Sequence, residues 1–336
     1  MADTLSIAFT NLASPMVLFF ALGFLAALAR SELSVPEAVG KGLALYLMLA
    51  IGFKGGVSVA EAGLSTQLLV TALAGIALGF AIPVLAHTLL RLTTDLDHAT
   101  RAAVAAHYGS ISVVTFVAAT EVVKAMGLVF DGYMVAVMAL METPAIIAGL
   151  LLARVSTPAG EGDAAARHET AHETPWGTLA REVFLNGSVV LLLGAFFIGI
   201  ITGPKGMVAI GPFVDAPFKG ILCLFLLDMG LLAARRLRES AGLTLPLAAF
   251  GIYMPLIAAS LGVVTGTLIG LDVGSVALLT VLSASASYIA VPAAMRMALP
   301  EANAAIYLTL SMAITFPFNL VIGIPLYAAV AQMLAG

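Results

Sequence analysis

Charge is what this sequence has least of. Asp, Glu, Lys and Arg make up 10% of its 336 residues, where a soluble domain averages about 25%. Hydrophobic residues make up 61%, which excludes a soluble globule and predicts a polytopic membrane protein. The single cysteine, Cys223, excludes an internal disulfide. No cluster of Lys and Arg supports nucleic-acid binding, and the net charge of −4 is spread over loops and identifies no partner. No Lys or Arg precedes the first apolar run, although Ala27-Leu-Ala29 at its end looks like a signal-peptidase site. Without a basic leader region that run reads as a helix.

A membrane-crossing helix needs about 20 apolar residues. The sequence predicts ten such segments, at about 14–29, 37–59, 67–90, 99–126, 132–155, 183–201, 213–234, 245–271, 274–299 and 305–334. Residues 156–176 are polar, small and acidic, and read as a linker between a first unit (1–155) and a second (177–336).

Segment 5 is expected to be interrupted at Glu142-Thr-Pro144, and two other segments are interrupted in matching positions. Segment 4 contains His107-Tyr-Gly-Ser-Ile-Ser-Val-Val-Thr115, and segment 9 contains Ser283-Ala-Ser-Ala-Ser-Tyr-Ile-Ala-Val-Pro292. A shift of 175 residues sets Ser110 opposite Ser285 and Ser112 opposite Ser287. Lys41-Gly42 matches Lys219-Gly220 at a shift of 178, and Pro144 matches Pro317 at 173. Five segments per repeat is an odd number, so the second unit enters the membrane from the opposite face. The fold class predicted is an all-α integral membrane protein, a 5+5 inverted repeat with broken helices 4 and 9, which is a transporter plan. With both termini outside, eleven Lys and Arg fall on inside loops and four on outside loops. The positive-inside rule therefore predicts outside termini and a cytoplasmic linker.

A broken helix exposes backbone N–H groups and the positive end of a half-helix dipole, both of which attract a small anion. The candidate substrate site is Gly109, Ser110, Ile111 and Ser112 with Ser283, Ala284, Ser285, Ala286, Ser287 and Tyr288. Neither break contains Lys or Arg, which suits a small singly charged anion better than a phosphate or a nucleotide. Carboxylates at membrane depth are functional candidates. Glu142 lies in segment 5, before Thr143-Pro144, and Asp228 in segment 7. Oxygen-rich sites take hard cations, and the candidate cation set is Thr115, Glu142, Thr143, Asp228, Thr315 and Asn319. The plainer reading of the carboxylates is structural pairing, with Arg296, Lys54 or His107 as partner. His107 reads as a buried, satisfied histidine or as a pH-sensitive group beside the break. Gly75-xxx-Gly79 and Gly262-xxx-Gly266-xxx-Gly270 read as close helix packing. His168-Glu-Thr-Ala-His172 matches the zinc-protease pattern but lies in the polar linker without a scaffold, so no metal site is assigned to it.

Several motifs carry a family resemblance. They are Ser31-Glu-Leu-Ser-Val-Pro-Glu37, Ile51-Gly-Phe-Lys-Gly-Gly56, Gly109-Ser-Ile-Ser112 and Pro300-Glu-Ala-Asn-Ala-Ala-Ile-Tyr307. In that order, over nearly the whole chain, they resemble the sodium-dependent bicarbonate transporters first known from cyanobacteria. The resemblance implies ten helices in an inverted repeat, with helices 4 and 9 crossing in a core domain that works against a gate domain. It also implies a homotrimer and, as in cyanobacterial members, a PII-like regulator on the cytoplasmic side. Glu142 falls where those proteins carry an aspartate, and Tyr288 where they carry an aspartate after the serines. Val113-Val114 replaces a small polar pair, and the central loop is shorter.

The resulting expectation is a secondary transporter of the inner (plasma) membrane, not an enzyme and without a cofactor. It would import a small anion, bicarbonate first, with sodium as coupling ion. A proton- or sodium-coupled carrier of another small carboxylate, a passive channel and a membrane metalloprotease are the rival readings.

Overall fold

The computed structural model describes residues 13–63, 65–155, 187–239, 242–289 and 291–336. Within these the chain is helical, without strands. Short polar side chains open several of the helices. Ser14 starts α1 (Pro15–Leu28) by accepting from the Val17 N–H. The helix α2 (Glu37–Ala62) follows, and Ser65 caps α3 (Thr66–Thr93). Asp97 caps α4 (His98–Gly109) through the Thr100 N–H, and Ser112 caps α5 (Val113–Ala125) through the Thr115 N–H. The long helices α6 (Met134–Val155), α7 (Gly187–Val214), α8 (Phe218–Glu239) and α9 (Leu245–Leu268) follow. Asp272 caps α10 (Val273–Ala284), as Asp97 does α4. The short α11 (Val291–Ala298) and a final helix, α12 (Ala304–Ala335), complete the chain. Such caps satisfy N–H groups that the first turn leaves without a helical partner.

Seven helices among the described residues are long and apolar enough to cross a membrane, fewer than the ten segments predicted. The shortfall has local causes. With 14 residues, α1 reaches only about 21 Å at 1.5 Å per residue. The last turns of α8 carry Arg235, Arg236, Arg238 and Glu239, and segment 9 is split into α10 and α11.

Three segments differ from expectation. Segment 5 is not interrupted at Glu142-Thr-Pro144, because α6 runs through Pro144. Proline there removes one bond to the Leu140 carbonyl, and helix neighbours tolerate that within a membrane. Segment 6 continues to Val214 instead of ending near Ile201. Gly203, at φ 54°, turns the chain, and Pro204 then opens the second piece, where a missing N–H does no harm. In α12 the backbone widens into π-helical turns at Thr309–Thr315 and Asn319–Gly323, on either side of Pro317.

Packing is pairwise. Helix α1 lies along α8 and α2 along α7, while α3 packs on α4 and α6, and α9 on α10. Small residues permit the first two contacts. Gly23 faces the Leu227 carbonyl and Gly230 the Phe20 carbonyl. Across the other pair, Gly52 and Gly56 meet the Leu192 and Phe196 carbonyls, and Gly199 meets that of Phe53. Four of the five ladder glycines pack helices: Gly75 and Gly79 face Met141 and Pro144 of α6, and Gly262 and Gly266 face Ser283, Thr280 and Val276 of α10. Gly270 instead lies past the end of α9 at φ 73°, where a Cβ would meet nothing within 4 Å. The α4–α5 unit is the most enclosed, with α3 and α7 far more open around it. The predicted linker and His168-Glu-Thr-Ala-His172 lie outside the described residues.

Close approach makes a prediction. A Cβ at Gly56 would overlap the Phe196 carbonyl, whereas one at Gly42 meets nothing within 4 Å. Gly56→Ala is expected to destabilise the protein by about 1–3 kcal/mol in thermal unfolding of the detergent-solubilised protein. Gly42→Ala should be neutral or stabilising by up to about 1 kcal/mol.

Candidate functional site

Both breaks are built alike. Helix α4 ends at Ser110 in extended backbone (φ −94°, ψ 156°), and α10 ends at Ser285 in nearly the same conformation (φ −84°, ψ 163°). The two extended stretches bind each other. The Ser112 N–H donates to Ser285 Oγ at 3.0 Å, and the Ser287 N–H donates to the His107 carbonyl at 2.8 Å. Beyond the breaks, α5 starts at Val113 and α11 at Val291. Pro292 falls in the first turn of α11, where proline is accepted.

The serines divide by role. Ser112 Oγ accepts from the Thr115 N–H at 3.2 Å and from Thr115 Oγ1 at 2.9 Å. Ser285 Oγ donates to the Leu282 carbonyl at 2.9 Å while accepting from Ser112. Ser110 Oγ is buried without a hydrogen-bond partner. Ser283 belongs elsewhere: it stays inside α10, bonds the Leu279 carbonyl at 2.9 Å and faces Gly262 of α9. Its hydroxyl serves packing, since a helical serine readily bonds back to the carbonyl four residues earlier. Gly109 lies against Pro83 and Ala145, where no side chain would fit. Ala286 is buried, and the Ala284 carbonyl is taken by Asn319.

A cavity of about 20 Å³ opens between the breaks, lined by Met48, Ile111, Ser112, Val113, Glu142, Ser287, Tyr288 and Ile289. Its size suits one water or a small ion. Glu142 reaches it from α6, so the carboxylate predicted from sequence shares one cavity with both serine runs. Among the described residues Glu142 makes no ion pair with Arg296, Lys54 or His107. Tyr288 is buried and tilts against the Phe316 ring, with centroids 5.4 Å apart.

The remaining candidates spread outward. Thr115 stands on the first turn of α5 beside Ser112. Thr143 is half-buried next to Glu142. Thr315 donates to the Gly251 carbonyl at 2.7 Å and meets the Tyr108 hydroxyl at 2.6 Å. Asn319 donates to the Ala284 carbonyl at 2.8 Å and accepts from the Tyr327 hydroxyl at 2.9 Å. Asp228 is not brought to the cavity: it faces Gly40, and Met48 lies two turns, about 12 Å, further along α2.

His107 is fully buried and stacked on Tyr307 at 4.4 Å. Its Nδ1 lies 2.7 Å from the Ala103 carbonyl, so Nδ1 carries the hydrogen, and Nε2 has no partner. Sequence reasoning missed three features. Tyr108 ties α4 to Thr315 of α12, Tyr327 holds Asn319 within α12, and no local pattern marks either tyrosine. Glu121, only 4% exposed, holds Lys124 at 3.3 Å and Lys219 at 3.4 Å; its i,i+3 spacing to Lys124 inside an apolar run was a usable signal. A larger cavity of about 440 Å³, lined by Lys54, Lys124, Glu61, Thr120 and Phe130, opens beside that cluster.

Asn319 ties the end of α10 to α12, which makes a prediction. Asn319→Ala leaves the buried Ala284 carbonyl unpaired and should cost about 1–3 kcal/mol in thermal unfolding. Tyr327→Phe leaves that bond intact and should cost about 0.5–1.5 kcal/mol.

No group of three or more His, Cys, Asp or Glu residues is placed to hold a metal ion among the described residues. Comparison with individually curated proteins finds no match. A family model does match, over residues 15–332. Its span takes in both breaks, the cavity between them and, but for the last three residues of α12, all seven membrane-length helices. This multi-pass membrane protein belongs to the Na+-dependent bicarbonate transporter superfamily.

Proposed function

We propose that the protein is a secondary active transporter that imports bicarbonate together with sodium, by alternating access. The observation that carries this reading is the meeting of two broken helices around Glu142. Substrate sits where Ser110, Ile111 and Ser112 approach Ser285, Ser287 and Tyr288. Ser110 supplies a hydroxyl that has no partner among the described residues, and the N-terminus of α5 supplies a positive dipole end. Sodium takes the oxygens of Glu142, Ser112, Thr115 and Ser287, as a hard cation prefers. Coupling follows from charge: bicarbonate and an ionised Glu142 repel each other in a poorly solvated cavity, and sodium offsets that repulsion.

The wider plan in this reading is ten helices in a 5+5 inverted repeat, the first unit in 1–155 and the second in 177–336, joined by a cytoplasmic linker. Both termini lie outside the inner membrane, the assembly is a homotrimer and a PII-like regulator docks on the cytoplasmic side. Exchanging segment 1 with 6 and segment 2 with 7 turns the α1–α8 pair into the α7–α2 pair, which supports the repeat. So do the matched caps at Asp97 and Asp272 and the matched ends at Ser110 and Ser285.

A second reading, a proton-coupled carrier of a small carboxylate, draws on one observation: Glu142 is buried without a cationic side chain beside it. Such a carboxylate suits a proton as well as sodium.

Proteoliposomes holding the purified protein should take up labelled bicarbonate only under an inward sodium gradient. Uptake indifferent to that gradient overturns the sodium reading, and no uptake alongside transport of another anion overturns the substrate. Ser110→Ala should lower kcat/KM about tenfold, the worth of one or two hydrogen bonds, in protein that inserts and unfolds normally. Ser285→Ala should lower it at least as far while also costing about 1–3 kcal/mol in thermal unfolding, because the Ser112 N–H loses its acceptor. Unchanged kinetics in both variants would remove the site. Glu142→Gln should abolish the sodium dependence; loss of pH dependence with sodium dependence intact would instead favour the proton carrier.

A further inference from the structure

Away from the breaks, four basic side chains gather where α3 ends and α4 begins. His87 lies in the last turns of α3, and Arg91 follows it by one turn. His98 and Arg101 lie on the first turn of α4. The two imidazoles meet edge to face, with centroids 5.4 Å apart and planes at 84°. Three buried polar atoms here have no hydrogen-bond partner: His87 Nε2, His98 Nδ1 and Arg101 Nε. His87 is only 8% exposed. Three orphaned nitrogens in one place are unusual, because buried polar groups are nearly always paired.

The charges that act on His87 are all positive, coming from Arg101, His98 and Arg91. The nearby acids are exposed or engaged. Asp95 is exposed, and Asp97 accepts from the Thr100 N–H at 2.8 Å. On the α6 side, His98 is held by the Leu152 and Ala153 carbonyls, each 3.0 Å from Nε2. Two acceptors at Nε2 place the hydrogen there and leave Nδ1 open. The three open nitrogens thus have no partner among the described residues, and Arg101 Nε together with the protonated imidazoles would donate to an arriving anion.

We propose that His87, Arg91, His98 and Arg101 bind a phosphate group at the membrane interface. Arginine presents a planar fork that matches phosphate oxygens. An arriving anion also favours the imidazolium forms, turning the open ring nitrogens into donors. The surface beside the cluster indicates where the group comes from. Leu69, Leu73, Phe80 and Val84 are exposed on α3. At 100° per residue they share one face with Arg91. The strip runs about 22 Å from Leu69 to Val84, which accommodates an acyl chain, and Arg91 then stands where the chain would meet its headgroup. An anionic phospholipid is the source this juxtaposition favours, consistent with basic interhelical pockets that hold lipid headgroups.

The test is direct binding to the detergent-solubilised full chain, with thermal unfolding as the check that variants are folded. The probes are dioctanoyl phosphatidylglycerol, dioctanoyl phosphatidylcholine and inorganic phosphate. Phosphatidylglycerol is expected to bind at least tenfold more tightly than phosphatidylcholine. Arg101→Gln and His87→Gln should each weaken it at least tenfold, while Lys205→Gln, at an exposed position elsewhere, leaves it unchanged. Arg91 is exposed, so Arg91→Gln provides a variant whose folding is not at risk, with an expected loss of threefold or more. Inorganic phosphate binding with the same sensitivity to Arg101→Gln, without a phosphatidylglycerol preference, would keep the site and assign it to a free phosphate. No binding of either phosphate probe, or binding equally strong in the Arg91 and Arg101 variants, overturns the proposal. Because none of these residues belongs to the transport site, this outcome is independent of whether bicarbonate and sodium are carried.

Discussion

An interrupted helix inside a bilayer has to find partners for the backbone groups it frees, and everything near the centre of this protein follows from that. Each break leaves carbonyls at one half-helix end and N–H groups at the other, in surroundings where lipid cannot satisfy them. Here the two breaks satisfy one another. The Ser112 N–H finds Ser285, and the Ser287 N–H finds the His107 carbonyl. These bonds join points 173 and 180 residues apart in the chain, so neither break has its native conformation without the other. That mutual dependence explains why the surrounding α4–α5 unit is so thoroughly enclosed.

The neighbours extend the same logic. Helix α12 spends an asparagine on the Ala284 carbonyl and a threonine on the Gly251 carbonyl, and its own Tyr327 holds the asparagine while Tyr108 of α4 meets the threonine. It does so while widening into π-helical turns around Pro317, a distortion often found at functional sites. Farther out, contact passes to glycine-mediated helix pairs, in which carbonyl groups of one helix face bare α-carbons of another. Lipid offers no hydrophobic drive for such contacts, so close van der Waals packing takes over that role.

Ionisable groups gather in three separate places. Glu142 shares the small central cavity with the serines. Glu121 sits between two lysines beside the larger one. The histidine and arginine cluster marks the junction of α3 and α4. A chain with so few charges has placed several of them where they meet specific partners or lack one, and membership in a sodium-dependent anion transporter superfamily gives the central group a natural role.

By itself, the sequence determined the membrane class, the approximate helices, the two breaks and Glu142 as a carboxylate in an apolar run. Length of apolar run, serine and proline within it and a stranded carboxylate are all local signals. It also carried the correspondence between Ser110 and Ser285, because a shift of 175 residues sets one serine stretch on the other. Tertiary structure decided the rest. Pro144 could not be judged from its own residue, since a proline bends or spares a helix according to what packs around it. The continuation past Ile201 depended on how the backbone turned at Gly203. Ser283 and Ser285 look alike in the chain, yet one faces Gly262 and the other the opposite break. Asp228 and Glu142 look equally costly, yet only one reaches the cavity. In each case the deciding quantity was distance to residues far away in the chain, and a one-dimensional pattern carries no such distance.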